Sequence, residues 1–162
     1  MLSNIDTSAG AAVVDTVTVD TLICGPIEVP EDRIITFETP LLGFPDHEQF
    51  VIYQTKPGPL FWLQSITDKD VAFAVLMPFQ VGMDPDYDIN AEDLELLGVD
   101  DLQEVSVYTM VTLDGDPQNT TTNLRAPILV GRSRAVQVVY DNDALELRYP
   151  LARLAQMDAP RK

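Results

Sequence analysis

Positive charge is the first thing this sequence is short of. Ten Lys and Arg stand against 26 Asp and Glu, a formal net charge of -16. A protein that grips a phosphate backbone needs clustered cations to displace its counterions. Here the cations are scattered, so direct nucleic-acid binding is not expected. Anionic membrane surfaces are disfavoured for the same reason. Sulfur and imidazole are scarcer still. The single cysteine, Cys24, cannot form an internal disulfide, and without a basic or histidine neighbour it is read as a packing residue. The one histidine, His47, sits between Asp46 and Glu48, with no second imidazole or thiol cluster to complete a metal site. No apolar run approaches the ~18 residues that would span a bilayer. Residues 1–14 lack the basic and continuous apolar parts of a secretory signal, so a cytoplasmic location is expected. Phosphate-cradling glycine motifs and a G-x-S-x-G nucleophile elbow are missing as well. The expectation is a protein without catalytic residues, cofactor or resident metal.

What is present is strand. With 46% hydrophobic side chains the chain has enough apolar material for one core. Residues 1–15 carry no period and are read as a flexible arm; residues 16–162 are read as one domain. Thr16–Ile23 alternates on a period of about two, until Pro26 and Pro30 break it up. Short strands follow over 33–37 and 50–55, separated by the turn around Gly43 and by a short helix that Pro45 could start. The apolar runs 60–66 and 71–77, joined by Thr67-Asp68-Lys69-Asp70, predict a central hairpin. Residues 105–113 place Val105, Val107, Thr109 and Val111 on one face, with Tyr108, Met110 and Thr112 on the other. Strands over 120–124, 128–130 and 134–140 complete a set of about nine, and residues 151–157 could form a terminal helix. This spacing predicts a mainly β fold: a small, antiparallel, barrel-like single domain with one or two short helices.

The acids are not spread evenly. Asp84 to Glu104 holds nine of them and no Lys or Arg. Within this stretch Asn90 can cap a helix over Ala91–Leu97, with Glu92 and Asp93 at its positive end and Gly98 after it. Asp84, Asp86, Asp88 and Glu95 have the spacing of an EF-hand calcium loop. That loop needs glycine at its sixth position, where this chain has the β-branched Ile89, so the match is read as incidental. A strong field of one sign is suited to meeting a basic protein quickly. The segment is therefore the candidate protein-binding surface, carried by Asp84, Asp86, Tyr87, Asp88, Glu92 and Asp93.

Four stretches carry a resemblance. They are Leu42-Gly43-Phe44; Phe61-Trp62-Leu63-Gln64-Ser65 with Phe73-Ala74-Val75 and Pro78; Asp84-Pro85-Asp86-Tyr87-Asp88; and Thr122-Asn123-Leu124-Arg125-Ala126-Pro127-Ile128-Leu129-Val130. In this order and spacing, from about Thr21 to Leu151, the chain resembles the FliW family of flagellar assembly factors. Gly131 departs from the pattern, standing where an Asn is common. The resemblance implies a small β-barrel-like protein without catalytic activity that binds flagellin in the cytoplasm and also binds the translational repressor CsrA. Flagellin would capture the factor; its export would release the factor to bind the repressor and lift repression of flagellin mRNA. Of the motif residues, Gly43, Phe44, Gln64, Ser65, Asn123, Ala126 and Pro127 are read as structural. Two alternatives stay open: a chaperone for one secreted client, and a small-ligand or carboxylate-dependent enzyme barrel. A hollow, polar interior would favour the last.

Overall fold

The computed structural model describes residues 15–154, so the arm expected over 1–15 lies outside the described residues except for Asp15, whose carbonyl accepts from the Glu31 amide at 2.8 Å. Among the described residues, eleven strands and one complete α-helix follow in chain order. Strands β1 (Thr16–Thr21) and β2 (Gly25–Pro30) form a hairpin; β3 (Ile35–Phe37), β4 (Gln49–Tyr53), β5 (Leu60–Ser65) and β6 (Ala72–Leu76) come next. Helix α1 (Ala91–Leu97) precedes β7 (Val105–Thr112), β8 (Thr121–Thr122), β9 (Ile128–Gly131), β10 (Arg134–Gln137) and β11 (Tyr149–Pro150).

Seven of these strands close on themselves in the order β9-β10-β3-β4-β5-β6-β7, because β7 pairs with both β6 and β9. A ring with an odd number of strands cannot be antiparallel throughout; at least one neighbouring pair must run the same way. That seam is β3–β10, where Thr36 lies opposite Arg134 and Phe37 opposite Ala135 in parallel register. Every other pair in the ring is antiparallel. β8 and β11 extend the sheet from the far end of β7.

The expected antiparallel barrel is present, with its central hairpin and with the two faces of residues 105–113 as read from sequence. Tyr108 and Met110 pack into the barrel interior, while Val107 belongs to the outer layer. The middle of the barrel is filled. Ile35, Leu63, Val75, Ile128 and Ala135 pack there with aromatic rings at edge-to-face angles: Phe37 on Phe50 at 5.3 Å, Phe44 on Phe73 at 4.9 Å and Phe61 on Tyr108 at 5.8 Å. These side chains fill the middle of the ring; an open cavity of about 440 Å³ remains, lined by the interior-facing Ile35, Ile52, Phe61, Tyr108 and Val130 with Arg33 and Arg132 beside them.

Two pieces cover the outside. The β1–β2 hairpin lays Val19 and Val29 on Val51 of β4. On the other side α1 and its flanks bury Leu97 and Val99 against Val107, Leu129 and Val136. At ~1.5–3 kcal/mol for each fully buried side chain, these five contribute of order 10 kcal/mol before chain entropy is counted. Gly131 explains how the helix comes so close. A Cβ there would meet Leu97 Cβ and Val99 Cγ1 at 3.0 Å.

Three sequence expectations fail. Residues 25–30 form a strand despite two prolines, since β2 pairs only with β1 and needs no donors on its outer edge. Pro45 and Asp46 form a turn, not a helix. Cys24 is exposed in the hairpin turn, not packed in a core. A helical turn begins at Ala152, and the rest of the expected terminal helix lies beyond the described residues.

Candidate protein-binding surface

From Met83 to Asn90 the backbone crosses the outside of the barrel without regular secondary structure, and the Ile89 amide donates to the Tyr87 carbonyl at 3.1 Å. A period of two then sorts its side chains. Asp84, Asp86 and Asp88 face solvent; Pro85, Tyr87 and Ile89 are half-buried beneath them. The strap is held by its aromatic. Tyr87 Oη donates to the Leu124 carbonyl at 2.6 Å, its ring stacks on Tyr140 at 5.3 Å, and the Phe79 ring stands edge-on at 6.3 Å. Burial raises the Tyr87 phenol above its ordinary range, reinforced by Tyr140. Burial likewise pushes Tyr140 up to about 12, with the Asp93 and Asp88 carboxylates adding to it. Both rings therefore stay neutral packing groups. Tyr140 Oη closes the arrangement by donating to the Asp88 carbonyl at 3.2 Å.

Helix α1 then spans the predicted residues, Ala91–Leu97. Asn90 Oδ1 accepts from the Asp93 amide at 2.9 Å and Asp93 Oδ2 from the Asn90 amide at 3.1 Å, a reciprocal capping box. Gly98 ends the helix at φ 72. Asp93 is thus half-buried and occupied by its own helix, while Glu92 and Glu95 are exposed. Of the nine acids over 84–104, only Glu104 has a cation within reach among the described residues, Arg132 at 2.8 Å. The Arg132 hydrogen bond lowers the Glu104 carboxyl below its usual range. Of the other eight, all but the half-buried Asp93 face solvent, and none has a countercharge among the described residues, which makes a concentrated negative strip on the barrel's flank.

Beside the strip runs an open groove of about 470 Å³, which sequence reasoning missed. Its lining includes Phe79, Asp86, Tyr87, Leu102 and the start of β7, and Phe79 and Leu102 are 48% and 53% exposed. The available signals were small: a proline at 78 ending an apolar run, and a leucine placed among acids.

The motif residues hold the frame. Gly43, at φ 84, makes the tight turn in which the Phe44 amide donates to the Leu41 carbonyl, sending the Phe44 ring into the barrel end. Gln64 is fully buried; its Oε1 accepts from the Leu22 amide at 3.0 Å, while its Nε2 donates to the Ser65 and Lys69 carbonyls at 3.0 and 3.2 Å. One side chain thereby pins the β1–β2 turn and the 67–70 turn together. Ser65 Oγ accepts from the Thr67 and Asp68 amides at 3.2 Å each and lies 3.4 Å from His47 Nδ1. A hydroxyl so engaged in its own turn is badly placed to attack anything. Asn123 Oδ1 accepts from the Arg125 amide, and the Ala126 and Pro127 carbonyls accept from Gln137 Nε2 and the Val138 amide. Trp62 is half-buried on the outer face of β5. The EF-hand spacing gathers nothing: among the described residues no group of three His, Cys, Asp or Glu is placed to hold a metal.

A sequence model of the family described as FliW protein matches residues 18–151. The chain belongs to the FliW family. It is 34% identical to the flagellar assembly factor FliW of Caldicellulosiruptor bescii, over 86% of this chain and 93% of that one. Against the flagellar assembly factor FliW of Bacillus subtilis the identity is 35%, over 78% and 91%. A crystal structure of the flagellar assembly factor FliW superposes with a TM-score of 0.76 at 29% identity, covering 83% of this chain and 96% of that one. The family and the barrel fold are therefore those read from the sequence. These names denote a flagellar assembly factor. Among the described residues no helix is long and apolar enough to cross a membrane.

Proposed function

We propose that this FliW-family chain acts in flagellar assembly without catalysis, by binding flagellin and the translational repressor CsrA in turn in the cytoplasm. Capture by flagellin keeps the factor occupied; after flagellin export the free factor binds the repressor and relieves repression of flagellin mRNA. The observation that carries this reading is the acidic strip, Asp84 to Glu104, in which Glu104 alone has a countercharge among the described residues. An RNA-binding repressor displays basic surface, and such a strip speeds the encounter with it. Asp84, Asp86, Asp88 and Glu92 are the contact acids; Tyr87 and Asp93 support the strip from beneath and from the helix cap. The packed middle of the barrel favours an outer surface as the working part.

Titrating the purified protein with flagellin and with CsrA, separately and then in competition, tests the proposal. Each partner alone is expected to bind, and flagellin to displace the repressor. A chaperone for a single client would bind flagellin and ignore CsrA; binding of neither at low ionic strength would sink the proposal.

A further inference from the structure

Strand β6 accompanies β7 only as far as Leu76, which lies opposite Thr109. Extending the pair would require Pro78, which has no N–H to give. Residues Pro78–Val81 instead turn away as a short 3-10 helix ended by Gly82 at φ 89. The first four residues of β7 are consequently paired on one side alone, from Val105 opposite Gly131 to Tyr108 opposite Ile128 of β9.

Which backbone groups face the vacated side follows from one bond further along. The Met110 carbonyl accepts from the Asn123 amide at 2.9 Å, on the side of β8. Successive residues in a strand aim their N–H and C=O at alternate neighbours. Met110, Tyr108 and Ser106 therefore face β8 and β9, while Thr109, Val107 and Val105 face the side of β6. Tyr108 and Met110 inside the barrel and Val105 and Val107 outside it keep the alternation unbroken. The Val105 amide is taken by the Leu102 carbonyl. Val107 N–H, Val107 C=O and Val105 C=O have no hydrogen-bond partner among the described residues. They look into the groove walled by Phe79, Tyr87 and Leu102 and rimmed by Asp86.

We propose that this groove receives an extended segment of a partner protein, added beside β7 as the strand that β6 does not supply. The unpaired groups provide the ladder, and the exposed Phe79 and Leu102 provide apolar seats for alternate side chains. The acids of the adjoining strip select Lys or Arg at the positions between. The inference rests on the function proposed above only in taking the chain to act by binding proteins; it specifies the conformation and charge of what is bound.

The probe is a short peptide alternating valine and lysine, added to the full-length protein and followed by amide NMR. Binding is expected to shift and protect the Val107 amide. The same peptide fully N-methylated keeps its charge and loses its ladder donors, and should bind about tenfold more weakly or worse. A valine–glutamate peptide should not bind, and Phe79→Ser, at an exposed site, should weaken the lysine peptide about tenfold. Equal binding of the methylated peptide, or shifts centred away from β7, would overturn the proposal. If flagellin and CsrA bind wild type and Phe79→Ser alike while the peptide is ignored, the groove reading fails and the partner reading survives. Capture of the peptide with neither partner bound sustains the groove and removes those partners.

Discussion

The Tyr87 ring lies nearly parallel to that of Tyr140, 25° between planes and 5.3 Å between centroids, and helps fasten the acidic strap to the barrel. Tyr87→Phe keeps the stack and removes the hydroxyl that reaches the Leu124 carbonyl. The expected cost is about 1 kcal/mol, the net worth of one such hydrogen bond. Tyr87→Ala also removes the ring and should cost about 3–5 kcal/mol. Denaturant midpoints measure both; an alanine variant as stable as wild type would show that the strap is held by something else.

Gln64 supports a second prediction. It is fully buried and serves two turns at once, so Gln64→Leu preserves size while orphaning the Leu22 amide and the carbonyls beyond it. A loss of about 2 kcal/mol is expected. Hydrogen exchange should locate it, with faster exchange at Leu22 and along β1–β2 and little change in β9. Uniform exchange across the barrel would contradict the local role.

Much of this was legible beforehand because local chemistry and tertiary demand agree. Asn90, Asp93 and Gly98 fix the seven-residue α1 from within its own segment of sequence, and nothing in the packing overrides them. The alternation over 105–112 reads directly as inside and outside. Failures occurred where context decided. Pro26 and Pro30 forbid a central strand but not an edge, and no local rule says which a segment will be. Leu22, Ile23 and Cys24 look like core by composition, yet a tight turn puts all three in solvent. The acids of the candidate site were visible as charge. That Tyr87 points inward, and that β6 abandons the start of β7, depend on pairings distant in sequence.

Gly131 yields a third prediction, because its need for glycine is spatial. Its φ is not positive, but a Cβ would press on Leu97 and Val99 at 3.0 Å and on the Leu97 carbonyl at 3.4 Å. Gly131→Ala must push α1 outward, at about 1–3 kcal/mol for the overpacking. Gly43→Ala provides the contrast: nothing lies within 4 Å, and the cost is the left-handed backbone alone, about 1–2 kcal/mol. Amide shifts in α1 should change for the first variant and not for the second.

Alkaline pH should act through the same tyrosine pair. Both phenols titrate higher in the folded protein than their ordinary value of 10.0, Tyr140 at about 12. A group raised in this way contributes stability that is complete below the unfolded value and disappears as pH climbs to the folded one. Stability should therefore hold up to about pH 10 and fall above it, the Tyr140 part being lost by about pH 12 and the Tyr87 part later. Tyr140→Phe should flatten that decline, read from unfolding midpoints across the range. An unchanged slope would place the alkaline sensitivity elsewhere.

The acidic strip makes the last prediction, and the structure decides which acids can test it. Reversing Asp93 would break the capping box and confuse a charge effect with a folding one. Asp86, Asp88 and Glu92 are exposed, without a cation in reach among the described residues; changing Asp86 or Asp88 to Lys should alter stability by no more than about 0.5 kcal/mol each, and Glu92→Lys, in the first turn of α1, by about 1 kcal/mol. Attraction between such a strip and a basic partner acts over a screening length near 10 Å at moderate salt, so it governs encounter more than residence. The triple variant should associate with CsrA at least about tenfold more slowly at low salt, with dissociation much less affected. Its association rate should also vary less than the wild-type rate between about 50 and 300 mM salt. Stopped-flow association over that range is the measurement, and coincident salt curves for the two proteins would remove the strip from the binding surface.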